Sequence, residues 1–266
     1  METTLQNIVI VTQSDPIYLP FFFESFLGEL DKEKFRVANV IINRPLGNKR
    51  RKDLIRRVLG LYGYLGIMKV IGFVFSRRAK SSLSKFVGRR SGSSITEICG
   101  LHGIPTERMN QVNHDTNLER IRSMNPDWLV SIAASEKFKK ELLDIPKYGA
   151  INIHSGKLPE YRGMMPTFWQ ILNGEKTITV TIHHMSEKFD EGKIIAAYPM
   201  DVREDESLHD LIVRSKRDGG KFLATTLEVL HEDPSHLTVQ EGEAGYYSFP
   251  GKSDVRKFMN SGRRVI

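Results

Sequence analysis

The stretch from Gly149 to Met200, GAINIHSGKLPEYRGMMPTFWQILNGEKTITVTIHHMSEKFDEGKIIAAYPM, restricts the chain more than any other. Two apolar runs, AINI and TITVTI, have the length and β-branched content of strands, and PTFWQILNG between them reads as a short helix. Pro166 suits a first helical position and Gly174 the residue after the last, leaving Phe168, Trp169, Ile171 and Leu172 to bury. Asn152 and His154 lie two apart, so an extended backbone points both to one side. The turn formers of SGKLPEYRG follow them, and a second turn, SEKFDEG, carries Asp190. Strand, loop, helix and returning strand predict an α/β layer, where ligands sit in loops at the carboxyl ends of strands.

An imidazole that manages protons, a carboxylate that orients it and raises its pKa, and an amide N–H aimed at an oxyanion can carry acyl transfer without a covalent intermediate. A histidine beside a loop and an aspartate before glycine are also common structural residues, so spacing alone leaves both readings open.

The same residues resemble the formyltransferase family that uses N10-formyltetrahydrofolate, which includes methionyl-tRNA formyltransferases, amino-sugar N-formyltransferases and, more distantly, glycinamide ribonucleotide formyltransferase. The family pattern appears as Asn152, His154, Leu158-Pro159, Tyr161-Arg162-Gly163, Pro166, Asn173-Gly174, Val180-Thr181-Ile182-His183 and Asp190-Glu191-Gly192, in order and without gaps. The resemblance implies a Rossmann-like formyltransferase fold with a mostly parallel central sheet flanked by helices. It implies that Asn152 bonds the formyl oxygen, that His154 assists the tetrahedral intermediate and proton transfer, and that Asp190 holds His154 and a water. His183 would support that site. Lys157, Leu158, Pro159 and Arg162, with Ala134 and Ser135 from the loop after an earlier strand, would line the substrate and folate positions. The co-substrate would be N10-formyltetrahydrofolate and the acceptor a small-molecule amine, a nucleotide-linked amino sugar in particular. Two departures stand out: Ser155-Gly156-Lys157 replaces the usual Gly-Ser-Leu, and Thr179 replaces a glycine. Lys157 reads either as a cation beside the reaction centre or as a solvated loop lysine.

Elsewhere, Asn7 to Thr12, Pro16 to Leu30 and Phe35 to Ile42 read as a βαβ opening, and VTQSDPIY lacks the glycine fingerprint of a dinucleotide site. Ser94 begins a helix that closes near Gly103 and leads to a short edge strand, Asn117 to Met124 reads as a helix, Asp127 to Ala133 as a buried strand, and Lys137 to Ile145 as a helix. KIIAAYPM reads as the final strand, and Ser207 to Leu230 as a long helix capped by Ser207 and Asp210, with His209 and His231 on its surface. At 266 residues the expectation is one domain: a catalytic core over 1–205 and a helix with a short tail over 206–266 packed on it. The tail resembles the tyrosine-bearing tail of sugar N-formyltransferases and is shorter than the separate β-barrel of methionyl-tRNA formyltransferases, which turns the expectation away from a nucleic-acid acceptor. His183 and His184 are adjacent and face opposite sides of a strand, so no metal site is predicted. The single cysteine, Cys99, and an amino terminus unlike a signal peptide point to the cytoplasm.

Arg44 to Gly92 holds fourteen Lys and Arg against one acid, Asp53, which accounts for more than the whole net charge of +7. Inside it, Val58 to Phe75 is apolar with arginines on both sides. A transmembrane helix is disfavoured by its short length, by Lys69 near its middle and by positive flanks at both ends. A helical insertion packed on the domain and a peripheral contact with the inner membrane surface both remain.

Overall fold

The run NIVIVT makes a strand that meets no solvent: Ile8, Val9, Ile10 and Val11 are fully buried, which requires cover on both faces. The computed structural model of the chain describes residues 5–44, 51–86, 92–235 and 240–266. The strand is β1, Gln6–Gln13. It leads to α1, Leu19–Glu29, which buries Phe22, Phe23 and Phe26, and then to β2, Phe35–Asn43, paired parallel to β1. The basic insertion is α2, Arg51–Phe86, a helix kinked at Gly63. Of the basic residues between 44 and 92, Lys49, Arg50, Arg89 and Arg90 lie outside the described residues, as do residues 1–4 at the amino terminus.

Ser94 caps α3, Ile95–Leu101, accepting from the Glu97 amide, and β3, Thr106–Arg108, forms one edge of the main sheet. After α4, Asp115–Arg122, comes β4, Trp128–Ile132, parallel to β1. The helix expected over 137–145 is one turn, α5, Lys140–Leu143. Its start is displaced because Asn113 accepts from the Lys139 amide and donates to the Lys137 carbonyl, holding those residues extended while Phe138 enters the core. Then follow β5, Gly149–His154, parallel to β4; β6, Arg162–Gly163; and α6, Pro166–Leu172. β7, Thr177–His184, runs antiparallel to β5, and β8, Ile194–Asp201, antiparallel to β7. α7, Leu208–Glu232, carries the predicted capping box between Ser207 and Asp210. KIIAAYPM is not the last strand, because β9, Tyr246–Tyr247, pairs parallel with β6 before α8, Lys252–Asn260.

The main sheet has the order β3-β2-β1-β4-β5-β7-β8, parallel from β3 to β5 and antiparallel at β7 and β8. Alternation along β1 divides the core: Ile8 and Ile10 join α1, α6, α7 and α8 on one face, and Val9 and Val11 join Leu118, Ile121, Phe138 and Leu142 on the other. The sheet thus has helices on both faces, as the sequence predicts. His209 and His231 are not surface residues. His209 is buried under α2, with its Nδ1 3.0 Å from the Tyr18 hydroxyl and Phe73 edge-on to its ring, and half-buried His231 stands against Phe35.

Candidate active site

β5 and β7 are neighbours, and their antiparallel register sets Asn152 opposite His183. One N–H of the Asn152 amide faces His183 Nε2 at 3.1 Å, while His183 Nδ1 donates to the His184 carbonyl at 2.8 Å. That carbonyl can only accept, so His183 carries a proton on Nδ1 and turns Nε2 toward the Asn152 amide. Asp190, at the turn after β7, places Oδ1 3.5 Å from His154 Nδ1 and 3.7 Å from His183 Nε2. The structure therefore brings Asn152, His154, His183 and Asp190 into one group. Two strands and a turn meet there.

His154 Nε2 lies 2.7 Å from the Tyr161 carbonyl and so carries the proton of the neutral ring. Nδ1, facing Asp190, is the nitrogen free to take one. The sequence reading has the carboxylate raising the histidine pKa, and the net effect is the reverse. Burial pushes His154 below its ordinary 6.5, and the opposing pull of Asp190 and the Tyr161 carbonyl does not restore it. Asp190 moves the other way. Its burial opposes ionisation, but His154, the neighbouring His183 and the Gly163 N–H together bring its carboxyl down to about 2.

The Asp190 turn is held from several sides. Asp190 itself is left-handed at φ 56°, a conformation that its surroundings must enforce. Its Oδ2 accepts from the Gly163 amide at 2.8 Å. Gln240, past α7, donates to the carbonyls of Asp190 at 2.9 Å and Gly192 at 2.7 Å. Arg162 gives Nη2 to Gln240 at 2.6 Å and Nη1 to Glu191 at 3.2 Å. Arg162 is thus a brace for the turn, where the sequence reading puts it at the ligand. A side chain at Gly163 would strike the Tyr247 carbonyl at 2.2 Å, so the glycine of Tyr161-Arg162-Gly163 is what lets β9 close over β6.

The other predicted site residues separate. Leu158 and Pro159 are buried walls of the loop after β5, and Pro159 O accepts from the Gly245 amide. Lys157 is paired with Glu160 at 2.6 Å and is more than half exposed. Lys157→Ala is expected to leave kcat/KM within about twofold of wild type, because a surface ion pair contributes little. Steady-state assays at saturating co-substrate check this. Ala134 packs against the second core cluster, and the Ser135 hydroxyl donates to the Arg44 carbonyl at 2.7 Å.

Three contributors escape a reading of motifs. Gln170 of α6 is buried, holding the Thr179 and Lys157 amides on Oε1 and donating to the Ser155 and Pro166 carbonyls. Lys216 of α7 donates to Ser155 Oγ at 3.0 Å; burial lowers its pKa, and Asp15 pulls the other way. Gln240 is the third, and its nearest sequence signal is only its place in the polar tail. A groove of about 710 Å³ between α1, α2 and α7, lined by Phe21, Arg77 and Arg217 among others, contains none of the Asn152 group.

Comparison with known proteins bears on this arrangement. A family model described as formyl transferase matches residues 76–227. The methionyl-tRNA formyltransferase of Citrifermentans bemidjiense is 40% identical over 129 residues, 48% of this chain and 41% of that protein. The methionyl-tRNA formyltransferase of Bacillus subtilis is 37% identical over 126 residues, 47% of this chain and 40% of that protein. The match thus spans less than half the length of either relative. Among solved structures, glycinamide ribonucleotide transformylase 1 from Symbiobacterium toebii superposes with a TM-score of 0.59 at 14% identity, covering 89% of this chain and 95% of that one. A sugar N-formyltransferase from a Shewanella species superposes with a TM-score of 0.55 at 17% identity, covering 91% of this chain and 76% of that one. These likenesses are of fold, and together with a family model matching more than half of the residues they lead to one conclusion: the chain belongs to the formyl transferase family.

Proposed function

We propose that the protein transfers a formyl group from N10-formyltetrahydrofolate to a primary amine of a small molecule, with a nucleotide-linked amino sugar the acceptor of first choice. The observation that carries the reading is the meeting of Asn152, His154 and Asp190 beside a loop, with His154 neutral at ordinary pH and its Nδ1 unprotonated. The amine nitrogen attacks the formyl carbon, and the carbonyl electrons move to oxygen. The second N–H of Asn152, which bonds no described residue, suits that oxyanion. The amine proton passes to His154 Nδ1, and ionised Asp190 stabilises the imidazolium that forms. Collapse of the intermediate breaks the bond to N10, which leaves with that proton as tetrahydrofolate. Residues 206–266 belong to the same working unit, since Gln240 and Tyr247 hold the loops that carry Asp190 and Gly163. Buried, unpaired Cys99 suits a reducing cytoplasm.

A sugar-linked acceptor is supported by the aromatic border of the loop. Tyr161 stacks on Tyr247 and Trp169 leans on Tyr247, an aromatic edge against which a pyranose or a base would pack, while Tyr246, on the other side of β9, is 67% exposed. A second reading, with methionyl-tRNA as acceptor, is favoured by the names of the sequence relatives. The two separate in one experiment, in which the chain and N10-formyltetrahydrofolate are offered a panel of nucleotide amino sugars and methionyl-tRNA, and acceptor mass is followed. Gain of one formyl group on a sugar, with none on the tRNA, is the expected result. Formylated tRNA alone would move the assignment to the second reading, and tetrahydrofolate released without any acceptor would indicate a hydrolase.

A further inference from the structure

α2 has two apolar faces, and the domain covers one of them. Facing inward, Val70 is buried, Phe73 packs on Phe21 and His209, and Arg77 reaches Glu24 at 2.8 Å. Gly66 belongs to this row, since a Cβ there would touch Ile266 at 3.4 Å. These positions recur at three- and four-residue spacing, so they occupy one side of the helix. The opposite side bears Tyr64, Leu65, Met68, Ile71 and Phe75, which are 77%, 78%, 55%, 56% and 72% exposed. An 18-residue window within Ile55–Leu83 has a mean hydropathy of 1.8, yet only 17% of that window is buried. So large an uncovered apolar stripe marks a contact surface.

Charge selects the occupant. Lys52, Arg56, Lys69, Arg78 and Lys80 are exposed along the same helix, and its one acid, Asp53, is paired with Arg56 at 3.7 Å. A second copy docked stripe to stripe would set these cations against their equals. Nucleic acid would match the cations and leave the stripe without a partner. An anionic lipid surface satisfies both, taking the aromatic and aliphatic groups among its acyl chains and the lysines and arginines among its headgroups. Spanning the bilayer is a poor alternative, because it would strip Arg77 from Glu24 and the Tyr62 hydroxyl from that of Tyr18. We propose that the outward face of α2, from Tyr64 to Phe75, docks on an anionic membrane surface and lies in its plane.

The test is co-sedimentation of the full chain with vesicles of phosphatidylcholine alone and of an equimolar mixture with phosphatidylglycerol. The mixed vesicles are expected to pellet about tenfold more protein, and raised salt to reverse most of that gain. Leu65→Ser with Met68→Ser and Phe75→Ser, at exposed positions, is expected to abolish pelleting while leaving the thermal melt unchanged. In the single variant Phe75→Trp, indole emission should shift to the blue on mixing with anionic vesicles, a readout that does not depend on the triple variant folding. Equal pelleting on both vesicle types, pelleting by the triple variant at the wild-type level, or an unshifted indole would overturn the proposal. So would a dimer in solution that the same three substitutions dissociate, since a second copy would then own the stripe.

Discussion

His154→Gln is expected to lower kcat for acceptor-dependent tetrahydrofolate release by about 10²- to 10⁴-fold, the usual worth of a positioned acid–base group. Glutamine keeps most of the volume and an N–H for the Tyr161 carbonyl, so the loss would report chemistry and not collapse of the loop. Asp190→Asn supplies the companion measurement. Asparagine tolerates the left-handed backbone at φ 56° and still accepts from Gly163, but the charge is gone. Since Asp190 raises the His154 pKa against the larger effect of burial, its removal should move the acid limb of the kcat/KM profile further below pH 6.5 while the plateau falls. A limb that climbs, or a plateau equal to wild type in both variants, would remove His154 from the reaction. The same burial couples to stability. A histidine whose folded pKa is depressed stabilises the fold fully above its unfolded value near 6.5, and that contribution is lost as pH falls below it toward the folded value.

Gly192→Ala is expected to cost about 3 kcal/mol and to lower the melting temperature by roughly 6–12 °C, with catalytic activity falling beyond what the melt explains. A methyl group there would sit 1.6 Å from the His184 carbonyl oxygen, a backbone atom that cannot step aside without moving β7. The displacement reaches Asp190, two residues earlier, and the Gln240 hydrogen bond to the Gly192 carbonyl. Gly174→Ala is the control. It has a positive φ of 87° but nothing within 4 Å of an added Cβ, so it should cost only about 1 kcal/mol and leave kcat unchanged. Calorimetry with parallel rate assays checks both, and a Gly192→Ala protein that melts and turns over like wild type would refute the crowding argument.

The strands β1, β2, β4, β5 and β7 are legible in the sequence because burial writes β-branched runs, and the edge strand β8 is legible from its apolar run between two turns. So are the Ser207 cap and α6, with its proline at the start and Gly174 after its end. The single turn of α5 is not, because the Asn113 side chain, more than twenty residues away, decides where that helix begins. The grouping of Asn152, His154 and Asp190 follows from period two and from a turn two strands over. The direction of the His154 pKa does not, since it depends on how completely the loop covers the ring. Lys157 and Lys216 make the same point. The motif displays the lysine that points to water, and the one that reaches Ser155 arrives from a helix whose pattern reads only as core packing. Burial also hides histidines from such a reading, as at His209, where the covering element is an insertion.

The braces on the Asp190 turn come from Gln240 and, through Gly163, from the strand that ends at Tyr247. A nascent polypeptide emerging from the ribosome therefore holds its imidazole, amide and carboxylate well before it can aim them. The supports that orient the Asp190 carboxylate are thus among the last segments to be synthesised.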